Sequence, residues 1–575
     1  MDKKEVAAIL KEMALMLEIS GENVFKVRAH ENAARVLEGL TGNLQELADS
    51  GELTAIKGIG KAIAEKIRAL LETGTFREFE DLKASLPDGL LEIARIPGMG
   101  PKKVKAVYEE LGVTSIAELE AACEADRVAG LKGFGKKTQD NIVKGIEQLR
   151  KFADQHLLSR AMETAEAILK VLRESEGVIR FEVAGSLRRR KEVVKDVDIV
   201  VSAAEEHRPG IMERFTTMDG VERVVGKGDT KSSIVLANGI NADLRIVADD
   251  QFPYTLHHFT GSKEHNVAIR QRAIKRDMKV SEWGLFRGDE LVPCNDEAAL
   301  FEALGLAYIP PELRENYGEI EAAETGELPE LVTMEDVRGI IHAHSTWSDG
   351  VNSIAEMAEA CRARGWEYLA ISDHSKAAAY ANGLTVDRIR AQHEEIDALN
   401  AELEGFQVLK SIECDILADG SLDYDDEVLA LFDLVIVSIH SKFGMTEAEG
   451  TKRIITAMEN PFTTIVGHLT GRLLLSREGY PVNQQAVIEA AADLGVSIEI
   501  NANPRRLDLD WRQCKYAVDK GVMISVNPDA HKIAGLDDMQ YGIGIARKGW
   551  VTAERFLNAR GADEVLAFAR KRRGK

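Results

Sequence analysis

Apolar positions are spaced in three different ways along this chain. Through residues 1–150 they recur at i, i+3 and i+4, which predicts amphipathic helices. After residue 150 strand-like runs join the helical ones. "IRFEVAGSLRRRKEVVKDVDIVVSA" reads as a strand, a Gly–Ser turn opening on three arginines, and a second strand, and "GINADLRIV" reads as another. The segment 316–335, "YGEIEAAETGELPELVTMED", is acidic, holds no strand or long amphipathic helix, and reads as a linker. Beyond it seven short apolar runs alternate with helical stretches: "GIIHAHS", "EYLAISDHS", "FQVLKSIECDI", "FDLVIVSIHS", "FTTIVGHLT", "VSIEINAN" and "VMISVNPDAH". That alternation predicts βα units and a parallel barrel. The expected organisation is multidomain, α+β and α/β: helical segments at 1–90 and 91–150, a mixed domain at 151–252, a following subdomain at 253–315, the linker, and a (β/α)7 barrel at 336–575.

Composition narrows the class. Runs such as "LVIVSI" are strand-length and far short of the ~20 residues of a membrane span. The start "MDKKEVAAIL" has no apolar signal-peptide core. Five scattered cysteines without a C-x-x-C pair suit reduced thiols. A cytoplasmic protein is expected. The net charge of −22 is uneven: residues 1–150 carry −3, 151–315 carry −4, and the rest −15. The near-neutral front half can still hold phosphate backbones through local basic clusters.

One motif occurs three times in the helical region: "IKGIGKAIAEKI", "IPGMGPKKVKAV" and "LKGFGKKTQDNI". Gly58 and Gly60, Gly98 and Gly100, and Gly133 and Gly135 allow tight turns. The amides opening the next helix make an anion site, with charge from Lys61, Lys102, Lys103, Lys136 and Lys137. Such contacts hold a nucleic-acid backbone without reading sequence. The motif resembles the helix-hairpin-helix module of DNA repair proteins, which implies sequence-independent DNA binding.

Asp196 and Asp198 stand two apart in an apolar strand and so face one way, and Asp243 lies in another strand. Carboxylates on a sheet are costly unless they hold cations; three on neighbouring strands suit two Mg²⁺ ions and an in-line phosphoryl transfer. Gly185 and Ser186 form the turn eleven residues upstream, and Arg188 or Arg189 is suited to a triphosphate. G-S-x-R-R, D-x-D, D-L-R and "HFTGS" together resemble the family X DNA polymerases, of which DNA polymerase beta is the best known; the likeness covers about residues 1–315. It implies Mg²⁺ (or Mn²⁺) bound by Asp196, Asp198 and Asp243, and phosphates held by Gly185, Ser186 and Arg189. It also implies His258, Phe259 and Gly261 beside the nucleotide sugar, Lys263 near the incoming nucleotide, Asn266 at its minor-groove edge, and Arg270 on the template. Relatives carry Tyr-Phe where this chain has His258-Phe259, and an acidic residue at Lys263, which leaves ribonucleotide exclusion open. Lys66 falls on the family's Schiff-base lysine, with His30 where a tyrosine is usual; it reads either as a lyase nucleophile or as a solvated helix lysine.

Residues at C-terminal strand ends meet at one mouth of a β/α barrel. Here that set is His342, His344, Asp349, His374, Glu413, His440, His468, Asp529 and His531. Nine N/O donors suit two or three Zn²⁺ or Mn²⁺ ions and a hydrolytic site. The set is similar to the PHP (polymerase and histidinol phosphatase) domain, over about residues 336–575. It departs at Ile340, where an acidic residue is common, and at His468-Leu469 in place of His-Pro. Arg472 and Lys442 follow motif histidines and are candidates for substrate phosphate. The combination resembles the PolX polymerases of bacteria and archaea. It implies a monomer that fills short gaps from dNTPs on gapped or primed duplex DNA. The barrel would act as a 3′–5′ exonuclease, with abasic-site or 3′-phosphate cleavage as further options. Alternatives are a template-independent nucleotidyltransferase, and a barrel that is a small-molecule phosphatase or a structural metal module.

Overall fold

The computed structural model describes every residue except 2, 41–43, 88 and 575. It divides into two compact units, residues 1–154 and 155–575.

The first unit is all helix among the described residues. Its longest helices are Lys3–Ser20, Val24–Gly39, Lys61–Thr73, Pro101–Leu111 and Lys136–Phe152. Two apolar cores fill it, one around Leu10, Met13, Leu37 and Ile67, the other around Ile93, Val104, Val107 and Ile142. The helix expected before each glycine turn is short: 3-10 turns at Glu52–Ala55 and Val128–Gly130, and five helical residues at Gly89–Ile93.

The second unit opens with a five-stranded sheet, ordered Val178–Val183, Asp196–Ala203, Asn241–Val247, Lys231–Leu236, Val221–Lys227. Only the pair Asp196–Ala203 with Asn241–Val247 is parallel. One face is packed and the other is partly open, which explains why those strands alternate polar and apolar residues. Helices Phe252–Thr260, Lys263–Ile274 and Glu297–Ala303 enclose a separate core of Tyr254, Ile269, Leu300 and Phe301.

The barrel strands are Gly339–Ala343, Tyr368–Ile371, Gln407–Asp415, Leu434–Ser438, Ile465–Val466, Ser497–Asn501 and Ile524–Asn527, paired in chain order and all parallel. A bridge between Ala343 and Ala530 brings the last strand round to the first. Nearly every strand residue is buried, as in a parallel sheet covered on both faces.

The segment 316–335 is more than the expected linker. Residues Glu319–Thr325 form a helix, and the fully buried Glu319 carboxylate accepts from His265 Nδ1 at 2.7 Å and from the Asn316 and Tyr317 amides. Leu331 and Val332 are buried, and the Val332 amide donates to Val551 O at 2.9 Å. Its acidic composition hid a few residues whose partners lie far away in the chain. The sheet and barrel share one continuous apolar cluster, running from Leu158 and Phe215 to Ile340, Val435 and Phe556. No helix among the described residues is long and apolar enough to cross a membrane.

Candidate active sites

Asp198 and Asp243 are register partners on adjacent parallel strands, and Asp196 lies opposite Asn241 one pleat away. All three carboxylates therefore share a face, as their spacing predicts. Burial, then Asp196 and Asp243, push the Asp198 carboxyl up to about 7; burial and Asp243 raise Asp196 as well. Lys231 Nζ contacts Asp243 Oδ2 at 2.7 Å, and Arg245 and Lys195 add positive charge near Asp198 and Asp196. Three crowded carboxylates on one face, two of them with raised proton affinity, form a donor set that fits divalent ions. Lys231 gave no motif signal, since a lysine in "DTKSSIV" reads as a solvated strand residue.

Gly185 begins the short helix Gly185–Arg188 at φ +62, and a Cβ there would lie 2.4 Å from Asp198 Oδ2. The turn thus presses its backbone against the carboxylates, and Ser186 follows at its first turn. The arginines are committed. Arg188 donates to Thr260 Oγ1 and Glu297 Oε2, both at 2.7 Å. Arg189 is buried, with Nε on Glu315 Oε1 at 3.0 Å and Nη1 on Thr260 O at 2.5 Å. The sequence suggested a guanidinium open to phosphate; here it is held by protein oxygens. The His258 ring meets Phe259 edge-on at 4.9 Å, and Arg245, from the Asp243 strand, stacks on Phe259 at 3.9 Å. Gly261 has φ +69, and Asn266 Nδ2 donates to His258 O at 2.8 Å, which ties the "HFTGS" segment together. Lys263 and Arg270 are exposed on helix Lys263–Ile274.

The barrel mouth collects all nine predicted donors. Glu413 is the hub: His374 Nδ1, His440 Nε2 and His468 Nε2 approach its oxygens at 2.9, 3.1 and 3.0 Å, and His342 Nε2 at 3.5 Å. Asp529 Oδ1 lies 3.1 Å from His344 Nε2 and 3.6 Å from His342 Nε2. Asp349 Oδ1 lies 3.4 Å from His531 Nε2 and 3.6 Å from His374 Nε2. Both Glu413 oxygens are buried yet accept no aligned hydrogen bond, despite the imidazoles around them. Close lone pairs without hydrogen-bond alignment are what ligands of a shared cation present: two donors at ~2.1 Å from one ion sit about 3.3 Å apart.

The donors cluster as His344, Asp349, His374 and His531; His342, His344 and Asp529; and His374, Glu413 and His440. Within each group the donor atoms lie within 4.8 Å of one another. His344 and His374 each belong to two of these groups, so the candidate positions adjoin. Burial, then the His531 and His374 rings, hold His344 down at about 3, leaving its lone pair free. Burial would lower His342 too, but Glu499, Glu413 and Asp529 raise it well above the usual imidazole range.

Sequence reasoning missed several partners. Glu499 Oε2 takes His342 Nδ1 at 2.7 Å and fixes the ring, as carboxylates behind metal-bound histidines do. Asp415 lies 3.3 Å from His440 Nδ1, and Arg506 Nε 3.6 Å from Asp529 Oδ2. A glutamate inside the apolar "VSIEINAN" was the available signal for Glu499. Arg472 instead donates to Arg506 O and Leu507 O and pairs with Asp510 at 3.1 Å, so it braces a loop; Lys442 is exposed.

In the helical unit, Gly58, Gly98 and Gly133 all have positive φ, and Gly60, Gly100 and Gly135 are the N-caps of the helices that follow. No side chain caps those helices, so the amides of their first turns are open donors, apart from Pro101, which has no N–H. Lys61 and Lys102 are exposed, Lys103 Nζ donates to Gly98 O at 2.8 Å, and Lys136 pairs with Asp126 at 2.6 Å. Lys66 is no solvated lysine: Nζ sits 2.9 Å from His30 Nε2 and 2.6 Å from Glu78 Oε2.

Models of known families match this chain within residues 1–315. A helix-hairpin-helix domain matches residues 1–76, a SAM-like helix-hairpin-helix tandem matches 50–111 and 90–148, and the DNA polymerase beta thumb matches 255–315. The DNA polymerase/3′-5′ exonuclease PolX of Bacillus subtilis is 41% identical over 575 residues, covering 99% of this chain and 100% of that protein. A probable phosphatase of Thermoanaerobacter sp. strain X514 is 27% identical over 227 residues, 38% of this chain and 85% of that protein. DNA polymerase lambda of Rattus norvegicus is 23% identical over 321 residues, 49% of this chain and 52% of its own length.

Proposed function

The chain belongs to the PolX family of DNA polymerase/3′-5′ exonucleases, and from that premise we propose that it fills short gaps in DNA and trims 3′ ends with its barrel. The polymerase half rests on the in-register pair Asp198–Asp243 with Asp196 beside it. When bound, Mg²⁺ or Mn²⁺ would supply Lewis-acid activation and charge neutralisation there. Asp196, Asp198 and Asp243 would hold the ions, with Asp243 on the side of the primer 3′-hydroxyl. The amides at Gly185 and Ser186, with Arg189 once released, would take the triphosphate. His258, Phe259 and Gly261 would border the sugar, Asn266 and Lys263 the nucleotide, and Arg270 the template. The open helix N-termini after Gly60, Gly100 and Gly135 would grip the DNA backbone without reading sequence. Lys66 would serve an abasic-sugar lyase reaction, with His30 Nε2 accepting its proton.

In the barrel, nine donors would hold two or three Zn²⁺ or Mn²⁺ ions, which suits cleavage of a terminal phosphodiester, with Arg506 at the rim for the phosphate. Asp243→Ala should lower gap filling by at least about a thousandfold and spare 3′-end degradation, with His344→Ala doing the reverse. Primer-extension and end-degradation assays check both. Loss of exonuclease in Asp243→Ala, or its survival in His344→Ala, would refute the two-site assignment.

The likeness to a probable phosphatase supports a second reading of the barrel, as a hydrolase of small phosphomonoesters. Comparing phosphate release from histidinol phosphate with degradation of a recessed 3′ end separates the two.

A further inference from the structure

We propose that Lys548 of the barrel is a positioning residue for the nucleotide pocket, acting through Glu315 on Arg189; this rests on the reading of Arg189 as a triphosphate contact. Lys548 ends the helix Met539–Lys548 and is 1% exposed. Its ammonium donates to Glu315 Oε1 at 2.5 Å, to Arg189 O at 3.1 Å and to Glu312 O at 3.3 Å, and lies 4.6 Å from the Trp511 ring centroid. The same Glu315 oxygen accepts from Arg189 Nε at 3.0 Å. One buried carboxylate is therefore shared between a cation from the barrel and a cation from the Gly–Ser turn. Arg547 on Glu312 at 2.7 Å and Arg512 near Glu192 at 3.5 Å fasten the same junction.

The sharing has a consequence for binding. A carboxylate already neutralised by an ammonium holds a second cation weakly, so Arg189 can exchange Glu315 for phosphate oxygens. Without Lys548, Glu315 becomes the full counter-charge of Arg189 in a dry setting, where charge-assisted bonds are strong. It also stands unneutralised near an incoming polyanion. Burial pushes Lys548 down to about 8 even with Glu315 opposing, so the ammonium persists at neutral pH. A merely structural bridge would affect both activities or melting alone; this arrangement predicts a change in nucleotide affinity.

The test uses the full chain, titrating dNTP in single-nucleotide gap filling and measuring 3′-end degradation in parallel. Lys548→Met should raise the KM for dNTP about tenfold, equivalent to one charge-assisted hydrogen bond, with kcat and exonuclease rate within about twofold of wild type. Lys548→Arg should keep the native KM, and Lys548→Met with Glu315→Gln should restore it. An unchanged KM in Lys548→Met, or a double variant as impaired as the single one, overturns the proposal. Should Lys548→Met melt too low to assay, Glu315→Gln alone decides: releasing Arg189 should lower KM, and an unchanged or raised KM sinks the idea. An Arg189→Ala variant with native KM would instead remove the premise, and the proposal with it.

Discussion

At the scale of single residues, the site proposed for the polymerase reaction depends on an absence. Gly185 has no Cβ, and one would collide with Asp198 Oδ2 at 2.4 Å while the backbone stands at φ +62. Holding a non-glycine residue there costs about 1–3 kcal/mol, before any movement of Asp198. Gly185→Ala should therefore cut gap filling roughly ten- to a hundredfold and leave 3′-end degradation untouched, as paired assays would read. In the barrel the telling residue is Glu499. It touches no expected site by sequence, yet it sets the His342 ring from 2.7 Å away. A lone glutamate in an apolar strand has many readings, and only its neighbour in space selects one.

Between elements, the clearest device is the clamp joining the sheet domain to the helices after it. Glu297 opens the helix Glu297–Ala303 and takes Arg188 from the Gly–Ser turn and Arg314 from the end of the thumb, all three nearly buried. Burial alone would raise the Glu297 pKa, but Arg314 and Arg188 bring it down to about 2 from 4.5. A carboxylate lowered by folding stabilises fully above its unfolded pKa and loses that contribution as pH falls through the folded one. This clamp should thus weaken between about pH 4.5 and 2, a contribution of about 3 kcal/mol at neutral pH. Glu297→Gln should lower the melting temperature near pH 7, and the gap to wild type should close as pH approaches 2. A gap independent of pH would show that the carboxylate charge is not what matters. The barrel strands tell a complementary story. Their order and direction follow from βα alternation, but His342 at φ +63 and Asp529 at φ +51 leave the regular strand conformation to aim at the mouth.

For the whole molecule, the distribution of cores matters most. Residues 1–154 have cores of their own, whereas sheet and barrel share one. The fragment 1–154 should fold alone and melt cooperatively. A chain cut after residue 335 should aggregate or melt without cooperativity, because it loses the apolar cover of its sheet along with Lys548, Arg547 and the Trp511 ring that meets Tyr317 edge-on at 5.7 Å. Calorimetry and size-exclusion chromatography of the two fragments check both expectations; a stable, monomeric 1–335 would argue that the shared core is incidental.

Periodicity carried the helical front, three strands of the five-stranded sheet and the seven-stranded barrel, because apolar spacing follows directly from how helices and strands present side chains; Val221–Lys227 and Lys231–Leu236 were not read from it. Spacing also located the carboxylate trio and the donors at the barrel mouth: a strand's two-residue repeat fixes which side chains share a face, and a barrel gathers its strand ends. What only the folded chain decided is the pairing of charges across long sequence distances. Glu413 as hub, Glu499 behind His342, Lys231 on Asp243, Arg189 held by Glu315, and Glu315 shared with Lys548 carry no local signature. A charged side chain chooses its partner by distance and desolvation, and both exist only after the backbone has brought distant segments together.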